Sequence, residues 1–452
     1  MEEGMTYLAT VDSDDHPTTP RSSPPSVRLP KLIQGVGFAF FRRRAMRHWA
    51  ARHGQVYEIN IAFFGRTVVV SEPDLVRAVC TASTEQLANV RPNLSNWFGP
   101  GSVFGFDGDR HHDRRRLLAP AFHGRSLQNY EKIIAEATLR ECANWPEGKE
   151  FRTLEPMSRI TLNVILRAIF GAGAADSPDL NRLRTLVPPY MRLGQVMAFV
   201  PPPPTWAGRH GPWARLDRYR QAIDRIMLTL IAQADADPEL GERVDILATL
   251  LRSRHDDGTP LPRHELCDEL LTFIGAGHET TAAVLGWVFE RLRRHPALLA
   301  DLVREADEGG GELRRATIVE VLRVRTVIDV IGRRVTAPSF DLGPWRIPQG
   351  RTVLVRIADL HANPELFPHP ERFDPSRFRD TRPAAPAWLA FGGGVRRCLG
   401  ADFAVAEMDV VLRTVLQHFS IQTDDCADEK SQFRGVAHCP QRGARVTVRR
   451  RG

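Results

Sequence analysis

The chain has 452 residues, a net charge of +7 and 25% charged residues, as expected for a globular protein with a sizeable core. No apolar run approaches the roughly 20 residues of a membrane span, and no signal pattern opens the chain, so we expect a cytoplasmic protein without an integral membrane anchor. No nucleic-acid reader motif accompanies the arginines, and no C-x-x-C pair links the six cysteines, which argues against nucleic-acid binding, a disulfide framework and a zinc site.

The first predicted elements follow a polar N-terminus. Residues 1–25 are polar and rich in proline, which predicts a disordered segment. A basic and apolar helix is predicted in FAFFRRRAMRHWAARHG. The next stretch, VYEINIAFFGRTVVV, is typical of two strands joined by a tight turn at Gly65.

Helical patterns dominate the rest of the chain. They occur in NYEKIIAEATLRECANW, ITLNVILRAIFG, RLDRYRQAIDRIMLTLIAQAD and a long segment from about 262 to 295. A proline cluster at 201–206 indicates a loop between helices, and a further strand pair is predicted near FDLGPWRIPQGRTVLVRI. No composition break divides the folded part, so we predict a mainly α fold with small β-sheets, one large helical domain over residues 26–452.

The centre of the long helix, FIGAGHETTAA at 273–283, has an unusual composition. Two glycines inside a helix cost about 1 kcal/mol each relative to alanine, which suggests close approach of a ligand or a local distortion. An acid, Glu279, stands beside an alcohol, Thr280, and Ala282 excludes the zinc motif H-E-x-x-H. The alternative is structural: glycines for helix packing, and Thr280 bonded back to its own helix.

The run EVLR places Glu320 and Arg323 three residues apart, on one face of a helix. Such a pair, taken alone, is more often a surface pair. Further along, FDPSRF at 373–378 is a proline-bracketed turn in which Arg377 is a candidate third member of the pair.

Another charged helix is predicted at 108–122, GDRHHDRRRLLAPAF. His111 and Arg115 are four residues apart and share a face, where both can donate hydrogen bonds to an anion. A solvated charged face is the equal alternative.

Residues 391–400 read FGGGVRRCLG. Glycines allow positive φ and let the backbone pass close to a bulky group. Arginines beside a cysteine favour the thiolate over the thiol. The stretch is therefore suited to hold one charged sulfur against a group that is flat or anionic.

Together, in this order and spacing, these motifs resemble those of the cytochrome P450 family, of the soluble bacterial type, from about residue 30 to the C-terminus. The family's F-x-x-G-x-R-x-C-x-G loop is matched by Phe391, Gly394, Arg396, Cys398 and Gly400. Its [AG]-G-x-[DE]-T-T helix motif is matched by Ala276, Gly277, Glu279, Thr280 and Thr281. Its E-x-x-R is matched by Glu320 and Arg323, and its P-x-R-F by Pro375, Arg377 and Phe378.

Two details qualify the resemblance. PERF also occurs at 370–373, but the distance to the cysteine favours Arg377 as the family's arginine. Where the family usually has proline, three residues after the E-x-x-R arginine, this chain has Thr326. That segment usually lines the substrate pocket, so the departure bears on the shape of the pocket.

The resemblance implies haem b as cofactor, with Cys398 as the only protein ligand to iron and the loop glycines letting the backbone pass close to the porphyrin. It further implies that Phe391 packs near the sulfur, and that the haem propionates meet basic residues. The cofactor-binding residues it implies are His111, Arg115, Ala276, Arg333, Phe391, Arg396 and Cys398.

The implied activity is that of a haem-thiolate monooxygenase, which inserts one oxygen atom from O₂ into an apolar organic substrate. Glu279 and Thr280 would deliver protons for the activation of dioxygen. Electrons would come from a separate ferredoxin and its reductase, or from a flavodoxin-type donor, and we expect a monomer. The expected substrate lining, for part of which ordinary core is the alternative, is 98–106, 187–205, Phe273, Val327 to Val330, and Val436.

Two other functions use the same resemblance. A peroxide-driven peroxygenase or an isomerase has the same fold, but these branches tend to lose the acid–alcohol pair that Glu279 and Thr280 keep. A non-enzymatic haem-binding protein, such as a sensor, would normally carry an output domain, for which we expect no room in this chain.

Overall fold

A computed structural model of the protein describes residues 23–62, 64–122, 125–171, 177–197, 210–381, 383 and 385–452. Most of the segment predicted to be disordered, 1–25, lies outside the described residues, as does the whole predicted loop at 201–206.

The described residues form mostly helices, and the mainly α fold is confirmed. The helices are α1 (Lys31–Phe40), α2 (Arg42–His53), α3 (Pro73–Thr81), α4 (Ser95–Phe98), α5 (Gly108–Leu118), α6 (Arg125–Cys142), α7 (Leu154–Phe170), α8 (Pro178–Met197), α9 (Gly211–Asp235), α10 (Ile246–Arg252), α11 (Arg263–Leu292), α12 (Pro296–Glu308), α13 (Glu312–Val324), α14 (Ile357–Leu360) and α15 (Ala401–His418). Of these, none is both long and apolar enough to cross a membrane.

The strands are short. They are β1 (Val56–Ile61), β2 (Gly65–Val70), β3 (Leu87–Asn89), β4 (Phe151–Arg152), β5 (Val330–Val335), β6 (Ser339–Leu342), β7 (Trp345–Pro348), β8 (Thr352–Arg356), β9 (Phe419–Ile421), β10 (Ser431–Arg434), β11 (Ala437–Pro440), β12 (Arg445–Val446) and β13 (Val448–Arg450).

Helix α11 is the centre of the molecule and corresponds to the long helix predicted from about 262 to 295. It packs along α7, whose sequence is apolar on nearly every side and is accordingly almost entirely buried. At the C-terminal half of α11, the indole of Trp287 is fully buried and donates a hydrogen bond to the carbonyl of His438, 2.9 Å away. This contact fixes the β10–β11 hairpin against α11.

One five-stranded sheet, in the order β1-β2-β8-β5-β3, lies beside the helices. The hairpin predicted at Gly65 is confirmed, since β1 and β2 pair antiparallel and Gly65 has φ +66°. The second predicted pair is divided differently: β6 pairs with β7, whereas β8 joins the large sheet between β2 and β5. The sheet brings β5, and with it Arg333, beside Asn89 of β3.

Candidate functional site

The cysteine loop is a tight backbone structure that leads into α15. A short 3₁₀ turn spans Gly394–Arg396, and the N–H of Cys398 donates to the carbonyl of Phe391 at 2.8 Å. Burial raises the pKa of the Cys398 thiol. The N–H of Gly400 opposes that rise by donating a hydrogen bond to the sulfur, and so does the positive charge of Arg115. The net shift of this pKa is upward, so the Gly400 N–H and the Arg115 charge reduce the preference of the buried sulfur for the thiol without reversing it.

The sulfur is surrounded by protein and yet accessible. Cys398 is exposed by surface area, although desolvation is the largest influence on its pKa. The middle of α11 shows the same combination, because Ala276 is exposed and Thr280 half-exposed between fully buried turns. The ring of Phe122 touches both elements, with its centroid 4.9 Å from that of Phe273 on α11 and 6.2 Å from that of Phe403 on α15. Because Phe122 brings α11 close to the start of α15, we infer that the accessible sulfur and the accessible middle of α11 face one cavity.

Two glycines of the cysteine loop, Gly394 and Gly400, differ in whether their neighbours require glycine. Gly394 has φ +64°, and a Cβ on it would lie 1.8 Å from the carbonyl oxygen of Cys80 in α3. Packing against α3 therefore requires Gly394 by itself, apart from the expected approach to a porphyrin. Gly400 would meet only the ring of Phe122, at 3.9 Å, so no described neighbour requires glycine there.

The two glycines of α11 also differ in whether their neighbours require glycine. A Cβ on Gly275 would lie 2.3 Å from the ring of Phe98 and 2.8 Å from the methyl group of Met191, so packing requires glycine at this position. A Cβ on Gly277 would meet only Ile165, at an ordinary 3.6 Å. The packing explanation thus holds for Gly275 but leaves Gly277 unexplained by the protein around it, beside the open middle of α11.

Four predicted propionate partners come together from three parts of the chain. His111 is buried on α5, and its pKa is lowered to about 3 by burial and by the positive charges of Arg396, Arg115 and Arg333, in that order. Burial lowers the pKa of Arg396 to about 10, against the opposing effect of Asp107, whose carboxylate lies 2.5 Å away. Among the described residues the guanidinium of Arg115 has no hydrogen-bond or ion-pair partner, although its carbonyl accepts the N–H of Ala119. The cluster carries more positive charge than its carboxylate neutralises, so it fits an anionic group such as the propionates of haem.

The acid of the α11 motif is held from α8. The side chain of Gln195 donates a hydrogen bond to the Glu279 carboxylate. Burial raises the pKa of Glu279 to about 7, while the positive charges of Arg434 and Arg192 oppose the rise. A carboxyl with such a pKa exchanges protons readily near neutral pH.

The neighbouring hydroxyl bonds back to its own helix, as the structural alternative predicted. The Oγ1 of Thr280 donates to the carbonyl of Ala276 at 2.7 Å. Thr280 is nevertheless half-exposed, whereas Thr281 is buried, as expected from a turn of about 100° per residue. Of the two threonines, Thr280 is the one beside the open part of α11.

The pair Glu320–Arg323 is buried, not superficial. Arg323 donates through Nε and a terminal nitrogen to both carboxylate oxygens of Glu320, each at 2.7 Å. The Nε of Arg377 lies 3.7 Å from the same carboxylate, whereas Arg372 contributes only its carbonyl, which accepts from Arg323 at 3.0 Å. The choice of Arg377 as third member is therefore confirmed.

Thr326, where the family usually has proline, makes a contact that proline cannot make. Its hydroxyl lies 3.0 Å from Nδ1 of His361, and Nε2 of the same ring accepts the backbone N–H of Leu389 at 3.0 Å. Because Nε2 accepts and burial lowers the pKa of His361 to about 3, the ring is neutral and its Nδ1–H donates to Thr326. The departure thus links the end of α13 to the residue two positions before Phe391.

The expected substrate-lining residues lie largely in the apolar core. Phe98 stacks on Trp97 with ring centroids 4.7 Å apart, and Phe273 is 7% exposed. Val327 is buried, and Val436 is half-buried against the same core. Of the expected segment 187–205, the part from 198 onward lies outside the described residues.

Three contacts had no signal in the sequence. Gln195 and Glu279 are 84 residues apart, and Arg396 and Asp107 are 289 apart, so no local motif joins them. The carbonyl of Cys80 that requires Gly394 is also far from it in the chain.

The chain belongs to the cytochrome P450 family, whose sequence profile matches residues 24–448. Members of this family are in general haem monooxygenases, and they bind haem b through a cysteine thiolate.

Two relatives and one solved structure extend this assignment. Cytochrome P450 138 of Mycobacterium tuberculosis is 54% identical over 428 residues, which cover 95% of this chain and 96% of the relative. Cytochrome P450 135B1 of the same organism is 36% identical over 440 residues, covering 96% and 92%. The structure of retinoic acid bound cyanobacterial CYP120A1 matches with a TM-score of 0.83 over 95% of this chain and 99% of that one. At 23% identity, this match concerns the fold.

Proposed function

We propose that the protein is a haem-thiolate monooxygenase that inserts one oxygen atom of O₂ into an apolar organic substrate. The observation that carries the proposal is the acid–alcohol pair Glu279–Thr280 at the accessible middle of α11, in a chain whose loop also keeps the Cys398 sulfur accessible. The pair retains a proton-exchanging acid, which an enzyme supplied with peroxide does not need.

Cys398 would hold the iron, and the cationic cluster would hold the propionates. The N–H of Gly400 and the charge of Arg115 act in favour of the thiolate, against the larger effect of burial on the pKa. His111 is neutral at pH 7, so it would donate one hydrogen bond, whereas Arg115 and Arg396 would contribute charge. When bound, haem supplies an electron-rich iron centre at which dioxygen is activated.

Glu279 and Thr280 would then handle the protons. Glu279, with a pKa of about 7, takes up a proton and releases it without a large free-energy cost in either direction. Thr280 would turn its hydroxyl away from the Ala276 carbonyl, 2.7 Å away, toward the cavity. The bond it leaves is an ordinary one, with a net worth of about 1 kcal/mol.

The residues around the site bear on the class of substrate, and the family bears on the class of electron donor. The aromatic and aliphatic core around Phe98 and Phe273 favours an apolar substrate. Retinoic acid, bound by the structural relative, is an apolar chain with one carboxylate, which makes long-chain acids a rational first set of compounds. Electrons would come from a separate ferredoxin- or flavodoxin-type protein, and we place the reaction in the cytoplasm.

The test compares the wild type with Thr280→Ala and Thr281→Ala, supplied with a ferredoxin system and apolar acids. We expect Thr280→Ala to consume reductant but to form less product per electron, and Thr281→Ala to resemble the wild type. Hydrogen peroxide in place of the reductant should largely restore Thr280→Ala, because that oxygen arrives already reduced.

Two results would contradict the proposal. The first is equal coupling in all three proteins, which would favour the peroxygenase. The second is a reduced carbon monoxide complex without the red-shifted Soret band of a thiolate ligand, or one in which Cys398→Ser keeps that band.

A further inference from the structure

Helix α1 carries an apolar face that points away from the protein. Six large apolar residues in and beside this helix are exposed, and together we call them the apolar face of α1. They are Leu29 (43%), Leu32 (79%), Ile33 (53%), Val36 (44%), Phe40 (77%) and Phe41 (62%). Spacings of three and four residues place most of them along one side of the helix. The other exposed large hydrophobic residues of the described chain are scattered singly: Leu139, Leu228, Val244 and Val395.

The orientation of α1 is the reverse of what a globular core would impose. Its buried residue is polar, Gln34, whose side-chain nitrogen donates to the carbonyls of Val27 at 3.1 Å and Leu29 at 2.7 Å. The Gln34 oxygen accepts the N–H of Asn60 in β1 at 2.7 Å. These hydrogen bonds fix the Gln34 side inward, together with Phe38, which packs against the cluster of Met46 and Trp49. The apolar face of α1 is therefore held in solvent. A contiguous apolar patch of this kind marks an interaction surface.

The apolar face of α1 is bordered by positive charge. The exposed basic residues that flank it along the chain are Arg28 and Lys31, at or just before the start of α1, and Arg44, Arg47 and Arg52 on α2. Among the described residues none of the five forms an ion pair, although the charge of Arg47 is near enough to Asp359 to oppose the rise that burial causes in the pKa of that carboxyl. The sequence has no acidic residue between Asp15 and Glu58. The inward arginines of α2 are used within the protein, since Arg42 pairs with Asp329 at 3.2 Å. The charges of the exposed basic residues are therefore available to an anionic partner.

We propose that the apolar face of α1 and its basic border bind the surface of an anionic phospholipid bilayer. The helix would lie in the plane of the headgroups, with its apolar side chains among the upper acyl carbons and the basic residues at the phosphates. Ten residues, Lys31–Phe40, are too few to span a bilayer. The protein would therefore be attached to the membrane surface through α1, and this attachment does not depend on the reaction proposed above.

Two other occupants fit the surface less well. A second copy of the chain would bring two basic borders together at a two-fold axis, where like charges repel. Residues 1–15 are acidic and would match the charge, through Glu2, Glu3, Asp12, Asp14 and Asp15. They contain few large apolar side chains, however, with which to cover the exposed rings of Phe40 and Phe41.

The test is sedimentation of the full-length holoprotein with vesicles of phosphatidylcholine, with and without phosphatidylglycerol. We expect binding to the anionic vesicles only. Leu32→Ser with Phe40→Ser should reduce the partition coefficient about a hundred-fold, roughly ten-fold for each side chain. Arg44→Gln with Arg47→Gln should reduce it about 25-fold at low salt, roughly five-fold for each charge, and added salt should reduce wild-type binding as well.

The matched control is Leu228→Ser with Val244→Ser, two exposed apolar residues far from α1 in the sequence, which should bind like the wild type. Failure of the full chain to bind anionic vesicles at low salt would overturn the proposal, and so would equal loss in the control. A dimer in solution that Leu32→Ser with Phe40→Ser dissociates would assign the face to a second copy instead. Each variant's haem content and far-UV circular dichroism establish that it is folded.

Discussion

Removal of Arg323 should be among the most damaging single changes outside the cavity. Arg323 donates twice to Glu320 at 2.7 Å and also to the carbonyls of His361, Pro370 and Arg372, at 3.0, 2.8 and 3.0 Å. Arg323→Ala leaves the Glu320 carboxylate, 0% exposed, without its bidentate partner and with only the Nε of Arg377, 3.7 Å away, as a nearby cation. Breaking such a buried pair costs about 3 to 5 kcal/mol, a large part of the roughly 5 to 15 kcal/mol by which domains are stable.

The chain offers a matched control with the same spacing. Asp301 and Arg304 also form an i,i+3 pair, at 2.6 Å, but their side chains are 50% and 66% exposed. Arg304→Ala should therefore cost only about 0.2 to 1 kcal/mol. Unfolding in urea and the haem content of the purified proteins measure both effects. If Arg323→Ala were as stable and as rich in haem as Arg304→Ala, burial of the pair would not have the energetic consequence argued above.

Three further changes test the framework of the site. Thr326→Val should lower the free energy of unfolding by about 1 to 3 kcal/mol, since it removes the acceptor of the His361 Nδ1–H; an unchanged urea midpoint would refute the link. Gly275→Ala should destabilise through its clash with the core, whereas Gly277→Ala should raise stability by up to about 1 kcal/mol; thermal melting that ranks the two the other way would be evidence against this assignment. Because burial raises the pKa of Glu279 to about 7, its protonated form is lost as pH rises through 7. Product per electron should therefore fall from pH 6 to 8 in the wild type and stay flat in Glu279→Gln, and parallel profiles would exclude Glu279 as the titrating group.

Features encoded by a short stretch could be predicted from the sequence. The cysteine loop, the long helix and the E-x-x-R pair each depend on residue types at fixed local spacing, and the family resemblance supplied the fold. The burial of the pair was not predictable in this way, since such a pair taken alone is more often at the surface. The exposed face of α1 could not be predicted in this way. The helix expected in FAFFRRRAMRHWAARHG covers α2 and only the end of α1, and nothing in the sequence indicated that Gln34 would point inward. That orientation depends on Asn60 in β1, a contact between separate elements.

The reasons for particular glycines could not be predicted either. Gly394 follows the family pattern, but its steric requirement comes from the carbonyl of Cys80 in α3. Gly275 and Gly277 are equivalent in the sequence, and only the positions of Phe98 and Met191 distinguish the packed glycine from the open one. Such distinctions depend on distances across the core, which local spacing does not contain.

The cysteine loop is held more firmly by its neighbours than the middle of α11 is. Before the sulfur, the loop is held by the N–H of Leu389 on His361 and by the close fit of Gly394 against Cys80. After the sulfur, it is held by the N–H of Gly400 and the start of α15. Each restraint joins backbone to a buried group, so small changes elsewhere leave the thiolate where it is. The middle of α11 has looser contacts. No neighbour requires glycine at Gly277, and Glu279 is held by the side chain of Gln195 from α8. Differences in substrate between this protein and its relatives should therefore arise from the middle of α11, while the environment of the sulfur stays the same.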